Sequence, residues 1–408
     1  MVISIKSLNV IQLKFYSNQY FELIEPLDTV QNYFTTLNVK NICYTNGTNI
    51  EYSRLQNKCV CNEYYYGQDC GVPSYIWKTG HNAKLLPKII RRRKNPRRVI
   101  YGFPVNHEFD LFETRMAMQA DAVDAFVVHE SNYTNSGKSK PLHFLHKLQD
   151  ENWLREYQNK IIYIFQDTFP PGGLTDGRIA DAYMRRNLGQ TTFRKRLKGF
   201  KDDDLFVYND GDELIRPEIL MFLKLYEGFS DPVGFKYRWS IFGFFWTVKP
   251  KSKFYKYRDF ESAAMTVGFF KDFYDYDASL IRGSAFQDNN DHNKKLKNIY
   301  KDHGKRIDLF HCSDDAGWHC SYCFKPDGIR KKLLDAPLSD WPRWGDDPKR
   351  TKIDYIKNLI RDGKNFDGTL LRGSSDDMLT PEKDLDFAPK YMQDHAQKFK
   401  YLLVNPYR

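Results

Sequence analysis

"RVIYGFPVNHEFDLFETRMAMQADAVDAFVVHE" occupies residues 98–130, and its change of pattern decides the fold. "RVIYGF" (98–103) is a short run of β-branched and aromatic residues, a strand signal, while "DLFETRMAMQA" (110–120) reads as a helix and "DAFVVHE" (124–130) as a second strand. The rhythm repeats downstream. Helical "PLHFLHKLQDENWLREYQ" (141–158) precedes a strand at "KIIYIFQD" (160–167), and "GRIADAYMRRNL" (177–188) begins a long helix before the strand "DLFVYND" (204–210). "RPEILMFLKLYEGF" (216–229) then returns as a helix. Strands apolar along their whole length are buried on both faces, so the alternation predicts an α/β fold around a mostly parallel central sheet. Strands two, three and four deliver Glu130, Asp167 and Asp210 at their carboxyl ends, the edge at which open α/β sheets bind ligands. The same acids could mark strand exits and cap helices.

The fourth exit carries the densest signal, "LFVYNDGDEL" (205–214). D-x-D occurs four times, at 202–204, 210–212, 275–277 and 384–386, but only the second copy follows an apolar strand and holds a glycine. Residues two apart in an extended segment point the same way, so Asp210 and Asp212 can converge on one ion while Gly211 admits a ligand closely. Hard divalent ions favour carboxylate oxygens, and a site with few protein ligands leaves room for phosphate oxygens. A metal so held bridges a nucleotide diphosphate and stabilises its departure, the chemistry of nucleotide-sugar transfer. The competing reading is an exposed acidic turn.

The 408 residues carry a formal charge of +10, much of it in two runs at 88–98 and 185–198, which suits anionic partners or merely solvated faces. Four of the seven cysteines, Cys43, Cys59, Cys61 and Cys70, crowd one window. "CVCNEYYYGQDC" resembles the closing half of an EGF-like module, which implies the pairs Cys43–Cys59 and Cys61–Cys70 and an oxidising compartment. The sequons at Asn46 and Asn132 agree with a secretory route. The expected organisation is an N-terminal segment (1–40), a disulfide unit (41–72), a basic linker (73–97) and a main domain (98–408). No run reaches the roughly 18 apolar residues of a membrane span.

Late in the chain, "CSDDAGWHCSYCF" (312–324) and "SDWPRWGDD" (339–347) offer aromatic faces for sugar rings: Trp318, Trp341 and Trp344, all of which could instead be core. His319 could join the metal site or be structural. Cys320 and Cys323 could pair, leaving Cys312 odd, and a free thiol there is equally possible.

These blocks, with "RRVIYGFPVNHEFDLFETRM", "DDLFVYNDGDELIRPEILMFLKLYEGF", "GWHCSYCFKPDGI", "PRWGDD" and "YLLVNPY" in the same order, resemble the N-acetylglucosaminyltransferase III family, glycosyltransferase family 17. The resemblance implies a GT-A-like Golgi enzyme of type II membrane topology. It implies UDP-GlcNAc as donor, a divalent cation such as Mn2+, and an N-glycan on glycoproteins, not nucleic acid, as acceptor. The family's acidic motif falls on Asp210 and Asp212, and the strand-end position of Glu130, read from the residues alone, makes it a further candidate donor contact. Inversion at the sugar needs one general base, for which Asp346 and Glu213 are the candidates. The family's N-terminal anchor is not visible, and "CSDD" departs from the family block.

Overall fold

The computed structural model describes residues 21–23, 30–77, 87–150, 152–229, 231–247, 262–281, 310–311, 315–335, 344–371, 379–380 and 383–408. The four expected strands form its centre as β1 (Val99–Pro104), β2 (Ala125–Ser131), β3 (Ile161–Gln166) and β4 (Leu205–Tyr208), parallel and in the order β3-β2-β1-β4. Two further strand groups extend the same chain: β5 (Glu213–Ile215), β6 (Val233–Phe235), β7 (Arg238–Ile241), β8 (Gly243–Thr247), β9 (Ser262–Thr266), β10 (Phe310–His311) and β11 (Gly317–Ser321). The central sheet continues beyond β4 through β9, antiparallel to both neighbours, then β6 and β10.

Both faces of this sheet are covered, which is why its strands read as unbroken apolar runs. Val99, Tyr101, Phe103, Phe126 and Val207 join α1 (Phe109–Gln119), α2 (His143–Leu148) and α4 (Pro217–Leu225) in one core. Ile100, Val127, Ile162, Phe206 and Tyr208 face α3 (Gly177–Thr191) and α5 (Val267–Tyr274) in another. A second sheet, β5-β11-β7-β8, stands beside the first, backed by α6 (Pro326–Asp335) and α7 (Ile353–Asp362).

Two helices are shorter than their patterns predict. The 141–158 segment is helical only over α2, after which Trp153 turns back onto Phe109, Phe112 and Phe144. Long-range aromatic contact outweighs the local helical pattern there. α4 stops at Leu225 because Tyr226–Glu227 pairs with Arg91–Arg92, and Gly228 takes a φ of 104°, a region glycine enters without penalty.

Cys43 pairs with Cys59 and Cys61 with Cys70, as expected, and Cys320 pairs with Cys323. Cys312 lies outside the described residues. The described part of the basic stretch is docked and not free. Arg93 binds Asp203 and Glu227, Arg97 binds Asp203, and the buried Arg98 forms a two-pronged pair with Asp204.

Candidate active site at the switch point of the sheet

The order β3-β2-β1-β4 means that strands are added to one side of β1 and then, from β4, to the other, and the crevice outside such a switch point is where doubly wound sheets take ligands. Two loops meet there: residues 105–108 after β1 and the acidic segment after β4. β4 ends at Tyr208, and residues 210–213 close into a turn, Glu213 N–H donating to the Asp210 carbonyl at 3.1 Å. The alternation argued from an extended strand therefore does not carry through Asp212. Instead the Glu213 carboxylate accepts from the Asp210 N–H at 2.9 Å, closing the turn a second time.

The turn is anchored from beneath by Arg115 of α1, fully buried against the Phe103 ring, its guanidinium carbon 3.8 Å from the centroid. One terminal nitrogen donates to the carbonyls of Asp210 (2.8 Å), Gly211 (3.3 Å) and Glu213. The buried Asn209 amide donates to the Glu213 carbonyl at 2.9 Å and to the Tyr101 hydroxyl. Gly211 serves this packing: a Cβ there would stand 2.9 Å from the Pro104 carbonyl oxygen. Its role is close approach to the chain's own backbone at the end of β1.

The two aspartates face different cations. Asp210 accepts from Arg185 of α3 at 2.5 Å, and Arg185 also holds Asp181, one turn earlier, at 2.9 Å. Asp212 accepts from Lys332 of α6 at 2.7 Å, and the same ammonium lies 3.7 Å from Glu108. Burial alone would raise the Asp212 carboxyl, but Lys332 and then His319 outweigh it and hold it well below the usual carboxylate range. Burial likewise works against the Lys332 charge, yet Asp212 and Glu108 raise it above the ordinary lysine value.

β5 and β11 pair antiparallel with Glu213 opposite His319, and this register brings the imidazole to the acids. His319 Nε2 lies 3.7 Å from Asp212 Oδ1, and Nδ1 lies 3.9 Å from Glu213 Oε1. Ser321 is 3.0 Å from Nε2 and accepts from the Trp239 indole at 2.9 Å. Among the described residues, no group of three or more His, Cys, Asp or Glu side chains is arranged to hold an ion unaided. The donor set that comes nearest is the carboxylate of Asp212 with the imidazole of His319, a combination that suits Mn-like ions.

Several expected site residues have other work. Glu130 is fully buried and accepts from Phe144 N–H (2.8 Å), Leu145 N–H (3.1 Å) and the Tyr163 hydroxyl (2.8 Å), so it caps α2, the alternative weighed against donor binding. Trp318 is no platform for a sugar: it is 3% exposed, Arg216 covers its ring at 4.2 Å, and its indole donates to the Asp386 carbonyl. Trp344 is part-buried beneath Arg350 and packs on the α6–α7 core. Glu213 is fully buried in the turn, whereas Asp346 is exposed on a short helical turn whose Gly345 abuts the Leu333 carbonyl of α6. Asn46 is exposed, Asn132 half-buried, and Trp341 lies outside the described residues.

Arg115, Arg185, Lys332 and Glu108 were not anticipated. Asp181 and Arg185 at i, i+4 in "DAYMR" are a visible helical pair, but nothing local marks Arg115 or Lys332 as partners of the turn.

Residues 80–267 match the glycosyltransferase family 17 model. The chain is similar to β-1,4-mannosyl-glycoprotein 4-β-N-acetylglucosaminyltransferase of Rattus norvegicus, 37% identical over 360 residues, covering 86% of this chain and 62% of that protein. The Homo sapiens protein of the same name is 38% identical over the same length, covering 86% and 63%. The chain thus spans somewhat under two thirds of the length of these curated relatives.

Proposed function

We propose that the protein, whose residues 80–267 match the glycosyltransferase family 17 model, transfers GlcNAc from UDP-GlcNAc, in β1,4 linkage, to the core β-mannose of an N-glycan. The carrying observation is the acidic turn at the switch point, with Asp212 3.7 Å from the His319 ring and 2.7 Å from Lys332, whose ammonium lies 3.7 Å from Glu108. The relatives' printed name supplies the donor sugar, linkage and acceptor. A GT-A-like reading is supported by the parallel β3-β2-β1-β4 half of the sheet followed by the antiparallel β9. The paired cysteines at 43–70 support the EGF-like reading and passage through an oxidising lumen such as the Golgi. Among the described residues, no helix is long and apolar enough to cross a membrane.

A divalent cation would be held first by Asp212 and His319, with Asp210 available as a further ligand where Arg185 yields it. When bound, such an ion neutralises charge on the departing diphosphate. This chain's own groups do the rest. Arg115 fixes the turn's carbonyls, Lys332 keeps Asp212 ionised, and the closed register of β5 on β11 aims His319. UDP-GlcNAc is α-linked and the product β-linked, so a single displacement needs a base for the acceptor hydroxyl. Glu213, buried and spent on the turn, is poorly placed for that role; Asp346, exposed to solvent, is the better candidate.

The test is to incubate the purified protein with UDP-GlcNAc, Mn2+ and a biantennary N-glycan, then read UDP release and the mass and linkage of the product. A folded protein that transfers nothing, yet still binds the glycan, would be a glycan-binding protein instead.

A further inference from the structure

The carboxyl edge of the sheet carries polar groups that the acidic turn does not use. Lys140, which ends the loop after β2, has a buried ammonium with no hydrogen-bond partner among the described residues. Burying an ammonium without a partner is costly, and such a group persists where something else satisfies it. The loop after β1 holds two more buried atoms without a partner among the described residues, Asn106 Oδ1 and His107 Nδ1, both acceptors once His107 Nε2 donates to the Gly328 carbonyl.

These groups converge on one place. α6 and the residues before it reach the loop after β1 and the start of α2: the His107 ring stacks on Phe324 at 4.4 Å, its Nε2 lies 3.3 Å from the Gly328 carbonyl, and Lys331 donates to His143 Nε2 at 2.5 Å. Burial pushes His143 down to about 4, and the basic Lys331, Lys140, His107 and His146 push it the same way. The acids nearby are already engaged. Glu130 caps α2, and Glu108 accepts from the Asn106 and His107 N–H groups while facing Lys332. Asp335, at the far end of α6, is the remaining carboxylate that acts on Lys140. Among the described residues, the cation left without a partner here is the Lys140 ammonium, in the electrostatic neighbourhood of Lys331, the residue before the Asp212 partner Lys332.

We propose that Lys140 and Lys331 form an anion-binding pocket that takes the diphosphate of the nucleotide donor, with His143 accepting from Lys331 to aim its ammonium. This assignment rests on the donor reading above and adds a phosphate contact that no metal mediates. It also explains why α6, which carries both Lys331 and Lys332, reaches the loop after β1 and the start of α2.

The experiment is calorimetric titration of the intact protein, with Mn2+ present, using UDP, uridine and inorganic pyrophosphate as separate probes at low and high salt. Lys140→Met and Lys331→Gln should each weaken UDP and pyrophosphate about tenfold or more, leave uridine unchanged, and flatten the salt dependence. Lys140→Met should also keep or raise the melting temperature, since it removes a buried unpartnered charge; a structural lysine would lower it. Equal loss of UDP and uridine, or unchanged UDP affinity, overturns the proposal. Wild-type binding of pyrophosphate but not UDP, still dependent on the two lysines, would sustain the anion pocket and sink the donor reading.

Discussion

Glu213 and Asp212 are adjacent in the chain yet have opposite fates. Asp212 keeps an oxygen toward His319 and a strong cation at its other side, while Glu213 turns inward to close the backbone on Asp210. Exchange of the carboxylates for amides separates these roles. Asp212→Asn should abolish Mn-dependent UDP binding and lower kcat/KM by about a hundredfold or more, because the charge that an ion and Lys332 both need is gone. Glu213→Gln preserves an acceptor for the Asp210 N–H, so turnover should stay within a few-fold of wild type. A loss of about a hundredfold in Glu213→Gln would identify it as the base. Asp346→Asn should show the complementary pattern, with kcat reduced by about 10²–10⁴ and UDP affinity retained. Initial rates paired with UDP titrations read all three.

At the level of elements, the strands of the βαβ units were legible because burial on both faces writes a continuous apolar run, and β1 to β4 fall within a residue or two of their sequence signals. Cysteine spacing likewise anticipated the two N-terminal disulfides. Partners that come from remote elements were not legible. Lys332 meets Asp212 across 120 residues of chain, and His319 reaches the acids only through the β5–β11 register. Trp318 looked like a sugar platform since sequence reports its aromatic ring and not the Arg216 that covers it. Gly211 was singled out for close approach to a ligand, whereas the surface it approaches is the end of β1, a fact of sheet order. Gly211→Ala should therefore destabilise the protein by about 1–3 kcal/mol through a Cβ pressed on the Pro104 carbonyl. Urea denaturation measures this directly. A neutral outcome would mean that the two strand exits can separate at little cost.

On the scale of the whole molecule, the disulfide unit is not an appendage on a leash. Tyr44 and Val72 of the unit, with the flanking Val30, Phe34 and Ile76, lie in the same buried core as Tyr101, Phe126 and Ile219 of the α/β domain. Tyr226, just past α4, donates its hydroxyl to Asp69 of the unit at 2.9 Å. Arg216 tightens the junction. It is 4% exposed, lies between the rings of Tyr75 (4.0 Å) and Trp318 (4.2 Å), and pairs with Asp315 at 2.9 Å. It thereby ties the exit of the disulfide unit to β11 of the second sheet. Arg216→Ala should cost about 3 kcal/mol, the loss of two cation–π faces and a largely buried pair. Arg216→Lys should recover little, because an ammonium cannot stack flat between two rings while holding a carboxylate. With a shared core, wild type and both variants should unfold in one transition by tryptophan fluorescence and far-UV circular dichroism alike. Two separated transitions in Arg216→Ala would show the disulfide unit and the α/β domain to be independently stable, with Arg216 the link that makes them melt together.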